Sequence, residues 1–149
     1  MGIRLSDEAR RYLGAFTDVT GARATDCVVD EEIVFVVEPD DMGRAIGPDG
    51  RTVDALEERL GRPIVLIEDA AHADVFAANA LAPAAVYDVA IESREEGEVA
   101  VATVDDADVG VAIGRDGARI ERARRLLDRH FEVADIEVRG ADSTKDGLK

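Results

Sequence analysis

Two tight glycine turns contain the residues of this chain that are best suited to bind another molecule. They read GPDG at residues 47–50 and GRDG at residues 114–117. Glycine allows positive φ and, having no side chain, lets another molecule approach the backbone closely. A helical pattern follows each turn, and the free N–H groups and positive dipole end of a helix attract anions. The two turns are therefore predicted to receive phosphate groups of an extended strand.

A longer internal repeat contains both turns. Residues 34–50 and 101–117 align without a gap at an offset of 67, and nine of the seventeen positions are identical. Repetition at a domain-sized period predicts two copies of one folding unit. We expect an α/β chain of the α+β type, with domains at residues 1–69 and 70–140 and a disordered polar tail at residues 141–149.

The apolar periodicity predicts the same order of elements, α-β-β-α-α-β, in both copies. The longer predicted helices cover residues 7–17, 51–60, 70–82 and 118–129, and the predicted strands cover residues 26–29, 33–37, 64–67, 86–91, 98–104 and 133–138. A short helix leads into each turn, with Asp40 or Asp41 as the predicted cap of the first. Each copy should fold as a three-stranded mixed sheet packed on helices.

The charge composition points to a high-salt environment. The chain has 149 residues, a net charge of −15, and 16 Arg but only two Lys, both in the tail. Such a composition with intact apolar periodicity is typical of a halophilic cytoplasm, where the Debye length is about 3 Å at 1 M salt. The acids then form a general solvated surface, and the total charge does not exclude a nucleic-acid partner. No apolar run reaches the roughly 18 residues of a spanning helix, so we expect no membrane association.

Two features of the sequence carry a family resemblance. The order of elements, with a G-x-x-G turn between two helices, resembles the type II KH domain, whose turn clamps a nucleic-acid backbone. The segment FAANALAPA at residues 76–84 is similar to the Asn-Ala-Leu-x-Pro-Ala segment between the tandem KH domains of the NusA family. The resemblance implies the short archaeal form of that family, two KH domains without the polymerase-binding domain and S1 barrel of bacterial members.

The resemblance also implies RNA contacts in and around both turns. The candidates are Arg44, Ile46, Gly47, Pro48, Asp49, Gly50, Arg51, Ile113, Gly114, Arg115, Asp116, Gly117, Arg119 and Arg122. The glycines would hold the RNA backbone, and the arginines would reach its phosphates. Ile46 and Ile113 could form an apolar floor for bases or could pack into the core. Asp49 and Asp116 are predicted to cap the helices that follow them.

The two copies differ in charge around their turns. Residues 109–129 contain six Arg against three acids, whereas residues 42–62 contain four of each. Five of these arginines share a sector of about 120° if helical geometry extends back to the turn, namely Arg115, Arg119, Arg122, Arg125 and Arg129. Pro48 removes one N–H donor from the first turn. The second turn is therefore predicted to carry most of the binding, with a solvated face of local Glu–Arg pairs as the alternative.

The function that these residues favour is single-stranded RNA binding without catalysis or a cofactor. The NusA resemblance implies action beside RNA polymerase in elongation, termination or antitermination. The alternative is a protein-interaction module, in which degenerate KH folds dock on polymerase or ribosome. An enzyme has little support, because the single cysteine, Cys27, and the two histidines, His72 and His130, form no catalytic or metal-ligand pattern. Gly114→Asp and Gly117→Asp are both predicted to abolish RNA binding in a protein that stays folded.

Overall fold

The computed structural model describes residues 4–142 and contains two compact units. The units are Met1–Asp69 and Ala70–Lys149. Almost all of the predicted tail, residues 141–149, lies outside the described residues, which end at Asp142. No helix in the described range is long and apolar enough to cross a membrane.

Each unit has the order α-β-β-α-α-β, which confirms the predicted fold class. The first unit contains α1 (Asp7–Thr20), β1 (Ala24–Val29), β2 (Ile33–Val37), α2 (Met42–Ile46), α3 (Arg51–Leu60) and β3 (Ile64–Glu68). The second contains α4 (Ala73–Leu81), β4 (Val86–Arg94), β5 (Gly97–Val104), α5 (Val109–Ile113), α6 (Ala118–Phe131) and β6 (Val133–Gly140). A short 3-10 turn precedes each of α2, α3, α5 and α6. Element boundaries lie within about three residues of their predicted positions.

The two sheets have the same topology and the same irregularity. The strand orders are β1-β2-β3 and β4-β5-β6. In each sheet the first two strands are antiparallel, and the third runs parallel to the second. A register shift falls between Ala24 and Asp26 in one hairpin and between Val86 and Asp88 in the other. The second sheet has a further register shift, between Glu98 and Val99 where β5 pairs with β6, so the copies share their strand order and the hairpin irregularity.

The second copy is longer at three places, one of which is β6, with eight residues against five in β3. Strands β4 and β5 have nine and eight residues, against six and five in β1 and β2. Helix α6 has 14 residues, whereas α3 has 10. The gapless repeat therefore covers only the segment from β2 to the helix after the turn, because the hairpin and the end of that helix differ in length.

In the first unit, helices and sheet share one apolar core. Ser6 caps α1, and its Oγ accepts a hydrogen bond from the backbone N of Ala9 at 3.0 Å. The rings of Phe16 on α1 and Phe35 on β2 are fully buried, with centroids 4.6 Å apart. Leu56 on α3 belongs to the same buried cluster. This packing places α3, and with it the first glycine turn, beside the sheet.

In the second unit, α4 packs on α6 and on β4. Phe76 on α4 is fully buried, and the rings of Phe131 and His130 lie 5.2 and 5.5 Å from its ring. Leu126 and Leu127 belong to the buried stripe of α6, the side of the helix that faces the core. His130 is thus a packing residue. The stripe places the start of α6, where the second glycine turn ends, against the rest of the unit.

An ion-pair network on the second sheet joins strands that are not neighbours. Arg94 on β4 pairs with Glu92 at 2.9 Å and with Glu137 on β6, which also lies 3.5 Å from Arg139. The hydrogen bond from Arg94 lowers the pKa of Glu137 below the usual carboxyl value and raises the pKa of Arg94. These side chains are partly exposed, so we expect the network to contribute little to stability.

Candidate nucleic-acid interface

Both glycine turns follow the same backbone path. The first glycine has φ of 76° in one turn and 83° in the other, each with ψ of 172°. The aspartate at the third position has φ of 55° or 56°, and the last glycine has φ of 73° or 76°. Positive φ is accessible to glycine and, at some cost, to aspartate. The pattern G-x-D-G therefore meets the conformational demand of this turn in both copies.

The first glycine of each turn packs tightly against the helix that follows. A Cβ at Gly47 would lie 2.0 Å from Oγ1 of Thr52, and a Cβ at Gly114 would lie 2.8 Å from the backbone N of Arg119. Non-bonded atoms do not come this close in packed structures, so a side chain here must displace the start of α3 or α6. Gly114→Asp, predicted from the sequence to stay folded, is therefore expected to lose considerably more stability than Gly117→Asp.

The last glycine of each turn, Gly50 or Gly117, faces open space. A Cβ on either would meet no atom within 4 Å. Each is also the N-cap of the next helix, and no side chain accepts a hydrogen bond at that helix start. The prediction that Asp49 and Asp116 cap these helices is wrong, because glycine occupies the cap position. The first N–H of α3 donates to the carbonyl of Pro48, and the first N–H of α6 donates to the carbonyl of Arg115. The positive end of each helix dipole, without a side-chain cap, is what the turn presents to an anion.

Both arginines of the first turn are engaged within the protein. Nη1 of Arg44 donates a hydrogen bond to the carbonyl of Gly21 at 3.1 Å, which joins α2 to the end of α1. Nε of Arg51 donates to the carbonyl of Pro48 at 3.4 Å, and its Nη2 lies 3.8 Å from the carboxylate of Asp49. Arg44 is thus tied to the end of α1, and Arg51 has only long, solvent-exposed contacts with Pro48 and Asp49.

The arginines of the second turn have different surroundings. Arg115 is exposed, and its side chain has no ion pair or hydrogen bond to any other residue between positions 4 and 142. Arg119 is half-buried, and its Nη1 donates a hydrogen bond to the carbonyl of Val111, which links α6 to α5. Arg122 is half-buried one turn further along α6. Arg115 is therefore the exposed cation of this turn, while Arg119 supports its geometry.

The predicted single face of arginines is only partly correct. Helix α6 begins at Ala118, after two left-handed residues, so helical geometry does not extend back to Arg115. At about 100° per residue, the buried Leu126 projects between Arg119 and Arg122. Arg119 therefore lies on the core side of the helix, because the buried stripe passes through the predicted sector.

The sequence left open whether the apolar residues before each turn contact bases or pack into the core. In the structure, neighbouring residues take these two positions. Ala45 and Ala112 are fully buried, whereas Ile46 and Ile113 are 40% and 37% exposed. The alanines pack into the cores. The isoleucines keep an apolar side chain at the surface, directly before the first glycine of each turn.

The sequence reasoning missed a pair of equivalent aspartates that position both turns. Oδ2 of Asp41 accepts a hydrogen bond from the backbone N of Arg23 at 2.8 Å, and Oδ2 of Asp108 accepts one from the N of Ala85 at 2.7 Å. Asp41 has the position of a helix cap, but its side chain makes no cap hydrogen bond. Each aspartate instead ties the short helix before the turn to the start of the first strand. Their match in the repeat is the signal that could have found them.

Acidic side chains also gather before α5. Tyr87 on β4 donates a hydrogen bond to Asp105, which raises the pKa of Tyr87 and lowers the pKa of Asp105. Among residues 4–142, no group of three or more His, Cys, Asp or Glu side chains is arranged to hold a metal ion. The tyrosine bond ties β4 to the segment that leads into the second turn.

A duplicated α-β-β-α-α-β unit, with a G-x-x-G turn between its second and third helices, defines the class of tandem type II KH proteins. Comparison with known families agrees, because the family described as the NusA-like second KH domain matches residues 73–140.

Whole-chain relatives extend this match to both units. A probable transcription termination protein NusA from Halococcus morrhuae is 53% identical over 139 residues, which cover 93% of this chain and 99% of the relative. A protein of the same name from Halobacterium salinarum is 52% identical with the same coverage. The crystal structure of APE1850 is 30% identical, with a TM-score of 0.80, and covers 91% of this chain and 100% of that one. The chain belongs to the NusA family of transcription termination proteins.

The two relatives at 52–53% identity come from halophilic archaea. They confirm the halophilic character that the sequence analysis inferred from the acidic, lysine-poor composition.

Proposed function

We propose that the chain binds single-stranded RNA through its glycine turns, chiefly the second. The observation that carries the proposal is Gly117, which is left-handed, open to solvent and the N-cap of α6. No side chain caps that helix start, and the positive end of the helix dipole there attracts the negative charge of a phosphate. The exposed Ile113 beside the turn offers an apolar surface to a base.

The names of the relatives support a role in transcription. They are named probable transcription termination proteins. We therefore infer that this chain acts in the cytoplasm with RNA polymerase, in elongation, termination or antitermination. Its part in that process is binding rather than catalysis, with the turns holding the RNA backbone and the exposed isoleucine before each turn contacting a base.

The difference between the arginines supports a dominant second turn. Arg115 occupies the position that Pro48 holds in the first turn, so the second turn has a cation and an N–H at a position where the first has neither. Arg44 and Arg51 already contact groups of the protein. The first turn therefore favours a second candidate function, docking on a protein partner such as polymerase or ribosome.

Gly117→Asp is the variant that tests RNA binding most directly. The carboxylate would stand where a phosphate must approach, so we expect affinity for RNA to fall about ten-fold or more. The left-handed backbone should cost about 1 kcal/mol of stability without a clash. The measurement is a titration of a short random-sequence RNA in KCl, with a thermal melt of each protein.

Gly61→Asp is the matched control. Gly61 has φ of 72° and no atom within 4 Å of a built Cβ, and it ends α3 instead of beginning it. The control adds the same charge and the same strain far along the helix from the turn, and it should bind RNA like the wild type. A folded Gly117→Asp protein with wild-type affinity would remove the turn from the binding site, and protein docking would become the leading function.

A further inference from the structure

Strand β4 is an outer strand of the second sheet, and its free edge lacks the features that commonly prevent such edges from pairing. In the strand order β4-β5-β6 it pairs only with β5. Its nine residues, VYDVAIESR, include neither proline nor lysine, which often protect an outer strand. Its pairing with β5 is regular from Asp88 to Arg94, between a register shift and the hairpin turn. We call residues 88–94 the edge segment.

The hairpin turn determines which backbone groups of the edge segment point outward. Arg94 and Gly97 flank a two-residue turn and therefore form a hydrogen-bonded pair. Such pairs alternate along an antiparallel ladder, so every second residue before Arg94 points its N–H and C=O toward β5. The residues between them point these groups to the open edge, namely Val89, Ile91 and Ser93. No backbone group between positions 4 and 142 pairs with them there.

An apolar side chain lies partly uncovered at the centre of the edge segment. Ile91 is 37% exposed, although it pairs with Ala100 on β5, which is fully buried. Ala100 pairs in turn with the buried Ile136 on β6, so Ile91 is the outer end of an apolar row across the sheet. The matching outer strand of the first sheet, β1, has only six residues and buries Asp26 and Cys27.

We propose that the edge segment pairs with the edge segment of a second copy, antiparallel and centred on Ile91, so that two three-stranded sheets join into one. A two-fold axis at Ile91 makes the segment complementary to itself, because equal lengths of regular strand lie on each side of it. In this register Ile91 contacts the partner's Ile91, and Asp88 lies opposite the partner's Arg94. Self-association of this kind goes beyond RNA binding and does not depend on it.

The charges of the edge segment favour a second copy over an extended peptide of another protein. Opposite charges directly across an antiparallel pair are stabilising, and like charges are destabilising. With Ile91 at the axis, both Asp88 side chains face an arginine, and Glu92 faces the partner's Ala90. Arg94 already contacts Glu92 and Glu137, but its guanidinium has more N–H donors than these contacts use.

The same charges select this register. In one neighbouring two-fold register Asp88 would face the partner's Glu92, and in the other Glu92 would face the partner's Glu92. Each alternative places two acids directly opposite one another and loses the contacts between Asp88 and Arg94. The segment therefore satisfies its own charges only when Ile91 lies on the axis.

Ile91→Pro tests the edge without removing a hydrogen bond of the ladder. Proline lacks the N–H that Ile91 points outward, and an outer strand tolerates proline at such a position. Sedimentation equilibrium in KCl should find that the wild type forms dimers as its concentration rises to about 500 µM, since the interface is small. Ile91→Pro should remain monomeric over the same range.

Ile91→Lys is the second variant at the axis, and it keeps the backbone N–H. Two like charges would then meet at the centre, so the dimer dissociation constant should rise about ten-fold or more. A wild type that stays monomeric, or a dimer that survives Ile91→Lys unchanged, would refute the proposal even if Ile91→Pro fails to fold.

Asp88→Lys tests the register. By symmetry it replaces two attractive contacts with two repulsive ones, so we expect the dissociation constant to rise about ten-fold or more. Glu96→Lys is the matched control, because it makes the same change of charge in the exposed hairpin turn, outside the edge segment. It should dimerise like the wild type. Equal effects of the two substitutions would contradict the proposed register.

Amide hydrogen exchange locates the contact. The outward N–H groups of Val89, Ile91 and Ser93 should become protected as the protein concentration rises, whereas those of Ala90 should be protected at every concentration. Protection that appears only elsewhere would overturn the proposal. Gly117→Asp should dimerise like the wild type, because the edge segment includes no residue of a glycine turn. Loss of the dimer in that variant would place self-association at the turn and would also refute the edge contact.

Discussion

The two glycines of the second turn have different physical reasons. Gly114 is glycine because the backbone of Arg119 leaves no room for a Cβ. Gly117 is glycine because the turn needs a left-handed residue at an open helix start. The same division applies to Gly47 and Gly50 in the first copy.

Arg115 should account for a phosphate contact that Arg51 does not make. Arg115→Gln is expected to lower RNA affinity and to reduce the slope of log affinity against log salt by roughly 0.7–1, because one fewer counterion is released. Arg51→Gln is the matched change in the first turn and should leave the slope nearly unchanged, since Arg51 is already paired with Asp49. RNA titrations at several KCl concentrations measure both slopes. An equal or greater effect of Arg51→Gln would contradict the difference between the turns.

At the scale of elements, each short helix, turn and long helix form one junction, and an arginine supports it differently in each copy. In the second copy Arg119 joins α6 to the carbonyl of Val111 on α5. In the first copy Thr52 stands in place of Arg119, and Arg44 joins α2 to Gly21. An arginine therefore bridges the two helices of the junction in the second copy, whereas in the first copy an arginine ties the short helix to the end of α1.

Because only the first glycine of each turn packs tightly against the following helix, we expect substitutions of the two turn glycines to reduce stability by unequal amounts. Gly114→Ala should destabilise the protein by about 2–4 kcal/mol, because it combines a clash with backbone atoms and a φ/ψ region that only glycine populates. Gly117→Ala should cost about 1 kcal/mol, since only left-handed strain is added. Chemical denaturation in KCl gives both values. Equal costs would mean that the first glycine is not held against α6 as described.

At the scale of the whole molecule, the charge of −15 should make stability and RNA binding respond to salt in opposite directions. Lowering KCl from about 2 M to about 0.2 M lengthens the range of repulsion among surface acids, so the melting temperature should fall. Over the same range the affinity of protein that is still folded should rise, because counterion release then favours binding. Parallel melts and RNA titrations measure the two trends, and a melting temperature independent of KCl would contradict the first.

Sequence alone determined the architecture, because the signals for it are local. The bounds of β2 and α3 are those that the apolar pattern and the following Gly61 predict. The repeat established that a second unit follows the same order. Both turns were visible from their glycines, since positive φ is a property of the residue itself. The resemblance to NusA followed from the same local features.

Only the tertiary structure decided which residues of the turns remain available to a ligand. Arg44 is engaged because the carbonyl of Gly21, 23 residues away, comes within 3.1 Å of it, while Arg115 has no such neighbour within the described residues. Gly114 and Gly117 look alike in sequence, and only the packing of α6 separates the closed one from the open one. Such distinctions depend on atoms brought together from distant positions, and a local pattern carries no information about which atoms those are.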